Sequence, residues 1–489
     1  MGIRNLVGQT AIYGLPTIIG RLLNYLLVPL YTRLFVPAEY GVVTELYAYV
    51  AFLMVIATYG METAFFRFSS KEKDNPGVYS TAVWMLLFSS IILFAVAFLF
   101  KDGLASAIGY ADHSEYIVWF ALILALDAIC AIPFARLRNQ ERPLRFATLK
   151  TVNIAANIGF NLFFLVVCPW ILKSHPDSIL QHVYHPQIGV GYIFISNLLA
   201  SIITTLLLLP EFFQIRWSKL DRKLADKMFM YAFPVMIWGM AGIVNETFDR
   251  ILLKYLLPDE LDPMAQLGIY GACYKVSILM TLFIQAFRFA AEPFFFKQAE
   301  NRNAPEVYAK VMRYFVLACL VIFLGCSLFL NDIMLFVGAN YREGAVIVPV
   351  LLMANLFLGV FYNLSVWYKI TDQTKYGAYI SLIGAAITIG LNILLVPYFG
   401  YIGAAWATLV CYVAIALISY WLGQRHFPIP YPVKALSLYT VLALLFYAVH
   451  HYVLNFESAW LNRGLGVALI LCFVGVAWRK ERRKLNGKC

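Results

Sequence analysis

The chain has 489 residues, of which 62% are hydrophobic and only 13% are charged, and its formal net charge at pH 7 is +11. Soluble domains are about one-quarter charged, so this composition excludes a globular enzyme and indicates a polytopic membrane protein. The apolar runs lack the strict alternation of outer-membrane strands, which predicts an all-α fold.

Fourteen runs of about 18 or more mostly apolar residues, separated by Pro, Gly or charge clusters, predict fourteen transmembrane helices. In chain order these predicted spans lie near residues 8–33, 41–66, 78–100, 115–135, 146–172, 188–210, 228–257, 267–296, 309–330, 344–367, 376–398, 401–423, 433–454 and 460–478.

The basic residues of the loops are distributed very unequally between the two sides of the predicted membrane. If the N-terminus is cytoplasmic, 27 of them fall in cytoplasmic segments, including Arg136, Arg138, Arg142, Arg145 and Lys369. Only five fall outside, namely Arg33, Lys101, Lys173, Arg342 and Arg463. Positive charge concentrates on the cytoplasmic side of membrane proteins. We therefore expect both termini in the cytoplasm, and the net charge then requires no nucleic-acid partner.

The loops and cysteines give no sign of a metal site or a cofactor. The longest external loop, 173–188, contains His175, His182 and His185, but prolines interrupt it and no acidic or Cys partner stands at a fixed spacing. The eight cysteines form no CxxC motif and no cluster with histidine. We expect neither a metal ion nor a bound cofactor.

An internal repeat relates spans one to six to spans seven to twelve. Its landmarks are Y-G-L-P (13–16) with Y-A-F-P (231–234), and Y-G-V-V-T-E-L-Y (40–47) with L-G-I-Y-G-A-C-Y (267–274). In the same register Arg138 falls opposite Lys369, Asn161 opposite Asn392, and Gly191 opposite Gly403. A repeat of six spans predicts two parallel bundles around a central cavity, as in many transporters. The expected domains are residues 1–215, 216–428, and a C-terminal appendage, 429–489, of two spans and a basic tail.

Charged residues within spans are costly unless they pair or face water, and they therefore indicate function. Six basic residues lie there: Arg21, Lys150, Arg250, Lys254, Lys275 and Arg288. In the seventh span, Asn245, Glu246, Asp249, Arg250 and Lys254 occupy one half of a helical circumference at 100° per residue. This polar half is predicted to face the cavity, with Lys254 also able to reach the membrane surface.

The charges of the spans favour an anionic cargo, because guanidinium groups match phosphate oxygens. The expected phosphate contacts are Arg250, Lys275, Arg288 and Arg21. The expected charge-balancing or ion-coupling residues are Asp249, Glu246, Glu292, Glu62 and Asp127. Helix bends are expected at Pro16, Pro29, Pro234 and Pro293.

Four segments together resemble the polysaccharide-transporter family, the oligosaccharide flippase branch of the multidrug/oligosaccharidyl-lipid/polysaccharide exporter superfamily. They are L-Y-T-R-L-F-V-P-A-E-Y-G (30–41), G-M-E-T-A-F-F-R-F (60–68), F-D-R-I-L-L (248–253) and N-I-L-L-V-P-Y-F-G-Y-I-G-A-A-W-A-T (392–408). The resemblance implies a bacterial inner-membrane protein. Such a protein moves undecaprenyl-diphosphate-linked oligosaccharide repeat units to the periplasmic leaflet for O-antigen, capsule or exopolysaccharide (lipopolysaccharide) biosynthesis. Because no predicted loop reaches twenty residues and no acid/base or nucleophilic constellation stands out, we do not expect an enzyme. By resemblance Asp249 and Arg250 match the family's Asp-Arg pair, and Arg288 and Glu292 become cavity residues.

The leading hypothesis is therefore a flippase that works by alternating access. Its partners are the lipid-linked oligosaccharide, the bilayer, a coupling H⁺ or Na⁺, and a glycan polymerase or ligase of the same pathway. The alternatives are a cation-coupled multidrug exporter, a peptidoglycan-precursor flippase of the same superfamily and, more distantly, a membrane glycan polymerase or ligase.

Overall fold

The computed structural model describes residues 20, 22–23, 25–71, 75–216, 220–299, 301–453 and 458–485. Over these residues the backbone is helical almost throughout and contains no strand. The predicted all-α class is therefore confirmed. The chain divides into two compact units, the first comprising 1–27 and 42–251 and the second comprising 28–41 and 252–489. The domain boundaries expected after residues 215 and 428 stay predictions.

Helices stand at the positions of the second to the fourteenth predicted spans. From the second to the seventh span they are Pro37–Thr58 with Met61–Lys71, Pro76–Leu99, Ser114–Asn139, Pro143–Leu162 continued by Phe163–Val167 and Cys168–Ser174, Gly191–Leu207, and Arg222–Leu256. From the eighth onward they are Pro263–Val276 with Ile278–Gln298, Ala304–Leu328, Ala339–Ile347 continued by Val348–Leu364 and Val366–Ile370, Lys375–His426, Val433–Ala448 with Val449–Val453, and Ala459–Leu485. Shorter helices are Val28–Leu34, Lys101–Ala107, Leu209–Phe212 and Leu330–Ile333.

Eleven of the described helices are long and apolar enough to cross a membrane. Lys375–His426 covers two predicted spans, because its 52 residues are interrupted at Gly400, whose φ of 55° and ψ of −138° are not helical. The sixth span is the shorter apolar helix Gly191–Leu207. The first predicted span lies mostly outside the described residues, so the total of fourteen remains a prediction.

Helix starts follow local sequence signals. Asn75 precedes Pro76, and its side-chain oxygen accepts a hydrogen bond from the backbone N–H of Gly77 at 2.8 Å. Asp262 precedes Pro263 in the same way and accepts from Ala265 N at 3.0 Å. Asn or Asp at the cap followed by Pro satisfies backbone donors at a helix start. These caps fix where the third and eighth spans begin.

The predicted repeat is reflected in the turns that follow the fourth and tenth spans. Glu141 has φ 53° and Asp372 has φ 55°, a left-handed conformation that is uncommon outside glycine. The turns are closed by equivalent bonds, Arg142 N to Leu137 O at 2.9 Å and Gln373 N to Tyr368 O at 2.8 Å. The two halves therefore end these spans with the same backbone structure.

Buried asparagines mark a second equivalent position. Asn161 and Asn392 are both fully buried. Each donates its side-chain amide to the carbonyl oxygen four residues earlier, at 2.8 Å, on Asn157 and Thr388 respectively. Buried polar groups require such partners. The shared bond supports the alignment of the fifth span with the eleventh.

Two repeat-equivalent glycines permit a close helix crossing within the second unit. A Cβ on Gly268 would lie 1.9 Å from the carbonyl oxygen of Pro37, and a Cβ on Gly41 would lie 2.1 Å from that of Met264. Gly41 aligns with Gly268 in the repeat, and the same register aligns Pro37 with Met264. The contact is thus reciprocal, and only glycine allows the backbones to come so close.

Each unit also contains a buried aromatic pair of the same kind. Phe65 meets Tyr79 edge-on in the first unit, with ring centroids 6.2 Å apart, and Phe295 meets Tyr308 in the second, at 5.2 Å. The phenylalanines belong to matching segments, E-T-A-F-F-R (62–67) and E-P-F-F-F-K (292–297). Burying these phenylalanines fixes the orientation of the helix turn that carries Glu62 or Glu292.

Candidate functional site

A pocket in the second unit collects charged residues from the eighth and tenth spans. It is partly open to solvent, its cavity volume is about 20 Å³, and its polar lining includes Arg288, Glu292, Tyr362 and Lys369. Arg288 and Glu292 stand one helix turn apart on Ile278–Gln298, whereas Lys369 comes from Val366–Ile370. The pocket therefore joins two predicted cavity residues to one that had been assigned to a loop.

Glu292 is shared between two cations. Its Oε1 atom accepts a hydrogen bond from Nε of Arg288 at 3.5 Å and another from Nζ of Lys369. The guanidinium of Arg288 lies over the Tyr362 ring, 4.8 Å from its centroid. Two cations and one carboxylate leave these three side chains with one net positive charge.

The three side chains remain accessible, with exposed fractions of 47% for Arg288, 39% for Glu292 and 27% for Lys369. Ion pairs exposed to this degree contribute only about 0.2–1 kcal/mol each, because water competes for both partners. An incoming anion can therefore displace Glu292 from either cation at little cost. Chemically, the pocket is suited to holding a phosphate group against Arg288 and Lys369.

The first unit carries the corresponding ion pair. Glu62, which matches Glu292 in the repeated segment, is bound by Nη2 of Arg138 at 2.6 Å. Arg138 also lies over the ring of Phe66, 5.2 Å from the centroid. Arg138 and Lys369 are the residues that the repeat alignment set opposite each other. The same acid–base pairing thus recurs in both units.

In the seventh span, the predicted polar residues differ in burial. Asp249 is 3% exposed, and its Oδ1 atom accepts from the backbone N–H of Arg250 at 2.8 Å, whereas Glu246 is exposed. Arg250 is half-buried, and Lys254 lies over the ring of Tyr255 at 5.6 Å. The five residues therefore do not share one environment.

The remaining predicted residues lie elsewhere. Lys275 is exposed in the last turn of Pro263–Val276 and does not line the pocket. Asp127, in the fourth span, accepts a hydrogen bond from Ser201 at 2.8 Å. Arg21 and Pro16 lie outside the described residues. Their roles, like that of Lys275, stay predictions.

The predicted bend prolines occupy different helix positions. Pro29 is the second residue of Val28–Leu34, where a helix needs no intrahelical donor. Pro234 lies inside Arg222–Leu256, and Pro293 lies within Ile278–Gln298. Interior prolines remove a backbone hydrogen bond and favour a bend.

Among the described residues, no group of three or more His, Cys, Asp and Glu side chains is arranged to hold a metal ion. Two histidines of the external loop lie next to short helical turns. His182 ends the turn Ile179–His182, and His185 precedes the turn Pro186–Ile188.

Sequence reasoning missed Lys369 and Arg138 as site residues, because both stand at span ends and were counted only as loop charges. The repeat alignment contained the signal, since it paired these two residues while Glu62 and Glu292 were already candidates. Only the fold shows that each base reaches the glutamate of its own unit.

Comparisons with known proteins identify a family and a shared fold. The model of the family described as polysaccharide biosynthesis protein matches residues 6–299. An uncharacterized membrane protein of Methanocaldococcus jannaschii is 21% identical over 398 residues, covering 78% of this chain and 88% of that protein.

Among solved structures, the lipid II flippase MurJ in an inward closed conformation superimposes with a TM-score of 0.72 at 14% identity, covering 96% of this chain and 99% of that one. An inward-facing MATE family multidrug resistance transporter of the MOP superfamily gives a TM-score of 0.60 at 12% identity, covering 90% and 96%. These likenesses show a shared fold, and those two proteins are a flippase and a transporter rather than enzymes.

Proposed function

This chain belongs to the polysaccharide biosynthesis protein family, and from that premise we propose that it is a flippase for lipid-linked oligosaccharides. It moves undecaprenyl-diphosphate-linked repeat units from the cytoplasmic to the periplasmic leaflet of a bacterial inner membrane by alternating access. The products serve O-antigen, capsule or exopolysaccharide synthesis. Both termini are cytoplasmic in this proposal, and a proton or sodium ion drives the cycle.

The observation that carries the proposal is the cationic pocket formed by Arg288, Glu292 and Lys369. A diphosphate is the charged part of every cargo of this class, whatever its sugars are. Arg288 offers a planar fork of donors and Lys369 a compact charge, which together suit two neighbouring phosphate oxygens. The ring of Tyr362 packs against the same guanidinium.

Glu292 has a distinct part in this mechanism. In the empty protein it neutralises one of the two cations, which limits their mutual repulsion. When the diphosphate binds, the carboxylate is released from Lys369 and Arg288 and becomes free to take up a proton or a sodium ion. Cargo binding and ion binding would thereby be coupled through a single side chain.

A second candidate is a peptidoglycan-precursor flippase, which the fold shared with MurJ supports. Its cargo would present the same diphosphate to the same pocket, so the sugar alone distinguishes the two functions. A multidrug exporter for cationic drugs is less favoured, because the pocket has a positive net charge. A glycan polymerase or ligase is disfavoured by the transport proteins that share the fold.

The experiment is to delete the gene and identify the accumulated lipid-linked intermediate by mass spectrometry. Accumulation of an undecaprenyl-diphosphate oligosaccharide on the cytoplasmic side supports the proposal, and accumulation of lipid II supports the second candidate. Complementation with R288E should fail although the protein inserts normally. R302Q, which removes an exposed Arg of the same unit, is the matched control and should restore export. Export by R288E at the wild-type rate would contradict the proposal.

A further inference from the structure

A second charged cluster lies in the first unit and takes no part in the pocket described above. Its centre is Glu211, whose side chain is completely buried. Three arginines surround it, with their nearest Nη1 atoms 3.8 Å away for Arg136, 3.5 Å for Arg142 and 3.1 Å for Arg145. One carboxylate thus faces three guanidinium groups, and these four side chains carry two net positive charges.

The contacts within this cluster leave hydrogen-bonding capacity unused. Arg142 and Arg145 share a single oxygen of Glu211, Oε1. Oε2 of Glu211 and Nη1 of Arg136 are buried without any hydrogen bond. The side chains of Arg142 and Arg145 are 44% and 31% exposed. The solvent-exposed N–H groups of these two guanidinium groups can therefore bind a further anion, while the buried carboxylate of Glu211 positions both side chains.

The second unit shows that the fold does not require this cluster. In the register that pairs Arg138 with Lys369, Arg136 corresponds to Trp367, Arg142 to Gln373 and Arg145 to Tyr376. In the register of Gly191 with Gly403, Glu211 corresponds to Gly423.

At those positions the second unit builds an aromatic cluster around the same turn. Trp367 stacks on His426 with centroids 5.4 Å apart and packs against Tyr376 at the same distance. A Cβ on Gly423, the position that corresponds to Glu211, would lie 2.9 Å from the Trp367 ring, so the ring leaves no room for a side chain there. Aromatic packing thus suffices to build this turn.

Membrane topology does not explain the cluster either. Any exposed Lys or Arg provides the cytoplasmic charge that orients a span. A buried carboxylate with an oxygen that lacks a hydrogen bond lowers the stability of the fold, and membrane topology does not require such a group. The charge asymmetry puts these residues at the cytoplasmic membrane surface, where phosphate groups of lipids are found.

We propose that Arg136, Arg142 and Arg145, positioned by Glu211, form a second anion site that binds a phosphate group at the cytoplasmic face of the first unit. Arg142 and Arg145 contact the phosphate oxygens, and Arg136 supplies charge from behind while it lies over the Tyr79 ring, 4.2 Å from the centroid. The site does not depend on which cargo the protein moves. The phosphate belongs to an anionic lipid head group or to a soluble phosphate compound.

The test measures binding to the purified full-length protein in detergent. One arm uses native mass spectrometry with phosphatidylglycerol and with phosphatidylethanolamine. The other uses calorimetry with inorganic pyrophosphate, with all variants made on a K369Q background so that only the cluster of the first unit is titrated. R142Q/R145Q should weaken phosphate binding by about tenfold or more, as expected for lost charge-assisted hydrogen bonds. R222Q removes an exposed Arg of the same unit and should bind as the wild type does.

Each outcome bears on the proposal. Selective loss of phosphatidylglycerol binding assigns the site to lipid, and selective loss of pyrophosphate binding assigns it to a soluble phosphate. R142K/R145K keeps both positive charges but lacks the paired donors of the planar guanidinium groups, so it should bind more tightly than R142Q/R145Q and less tightly than the wild type. If the double variant melts at a lower temperature, the single variant R142Q provides the comparison, since that side chain is the most exposed of the three. Equal binding by R142Q, R142Q/R145Q and R222Q in both arms would overturn the proposal.

Discussion

The Glu292–Lys369 ion pair can be broken from either side, and the two ways have opposite effects on an anion. Replacing Lys369 by Gln removes one of the two cations that face the pocket. Replacing Glu292 by Gln removes the carboxylate that competes with the cargo for Arg288 and Lys369. A structural ion pair would suffer equally in both variants, whereas an anion site would not.

The expected sizes follow from the exposure of the pair. The two side chains are 27% and 39% exposed, so losing their mutual bond should lower stability by about 0.2–1 kcal/mol in either variant. A hydrogen bond from Lys369 to a phosphate oxygen contributes about 1.5–3 kcal/mol, which corresponds to about a 10- to 100-fold loss of affinity in K369Q. E292Q should bind the anion as tightly as the wild type or more tightly.

Thermal melting and calorimetric titration with pyrophosphate, both on the purified full-length protein, measure the two quantities separately. R142Q/R145Q serves as the background, so that only the pocket of the second unit is titrated. R302Q is the control for a change of net charge at an exposed position of the same unit. If K369Q and E292Q lower the affinity by the same factor, the pair is structural and the reasoning is refuted.

Three further predictions use other parts of the chain. Gly268→Ala should destabilise the protein by about 1–3 kcal/mol or more, because its Cβ would overlap a backbone carbonyl, whereas Gly390→Ala meets no atom within 4 Å and should be neutral or stabilising in the same melting experiment. The pKa of Asp332 is lowered by its hydrogen bond to Arg463, so the pair stabilises the folded state above the ordinary carboxyl range and loses this effect as pH falls through the lowered pKa. The small difference in melting temperature between wild type and R463Q should accordingly vanish in acid, and a constant difference would contradict the assignment. Arg250→Glu should abolish export in a complementation assay while membrane insertion, followed by fractionation, stays normal.

The helical spans could be predicted because the thickness of the bilayer core sets the length of the apolar run that each helix needs to cross it. The runs that became Ser114–Asn139 and Ala304–Leu328 carry this signal plainly in their hydropathy. Arg288 and Glu292 were predictable for the related reason that charges inside such runs need a partner or water. These features depend on the residues of a single span and its membrane environment, so they can be predicted without knowing which helices are neighbours.

Features that depend on which helices pack against each other could not be predicted from the sequence. Lys369 stands at a span end, and only the packing of the tenth span against the eighth brings its ammonium to Glu292. In the seventh span, helical geometry predicted one polar face, but neighbouring helices bury Asp249 while leaving Glu246 exposed. Burial is a property of the partner surfaces as much as of the helix itself.

Gly41 and Gly268 each receive the backbone of the other's segment, so that Pro37 meets Gly268 and Met264 meets Gly41. Mutual pairing of identical patches defines an isologous contact, which is what two copies of one chain make around a two-fold axis. The contact is therefore of a kind that two separate half-length chains can form without a covalent link. Residues 1–215 and 216–489 produced as separate chains should then co-purify, and failure to associate would contradict this expectation. One glycine position thus serves both sides of a single contact.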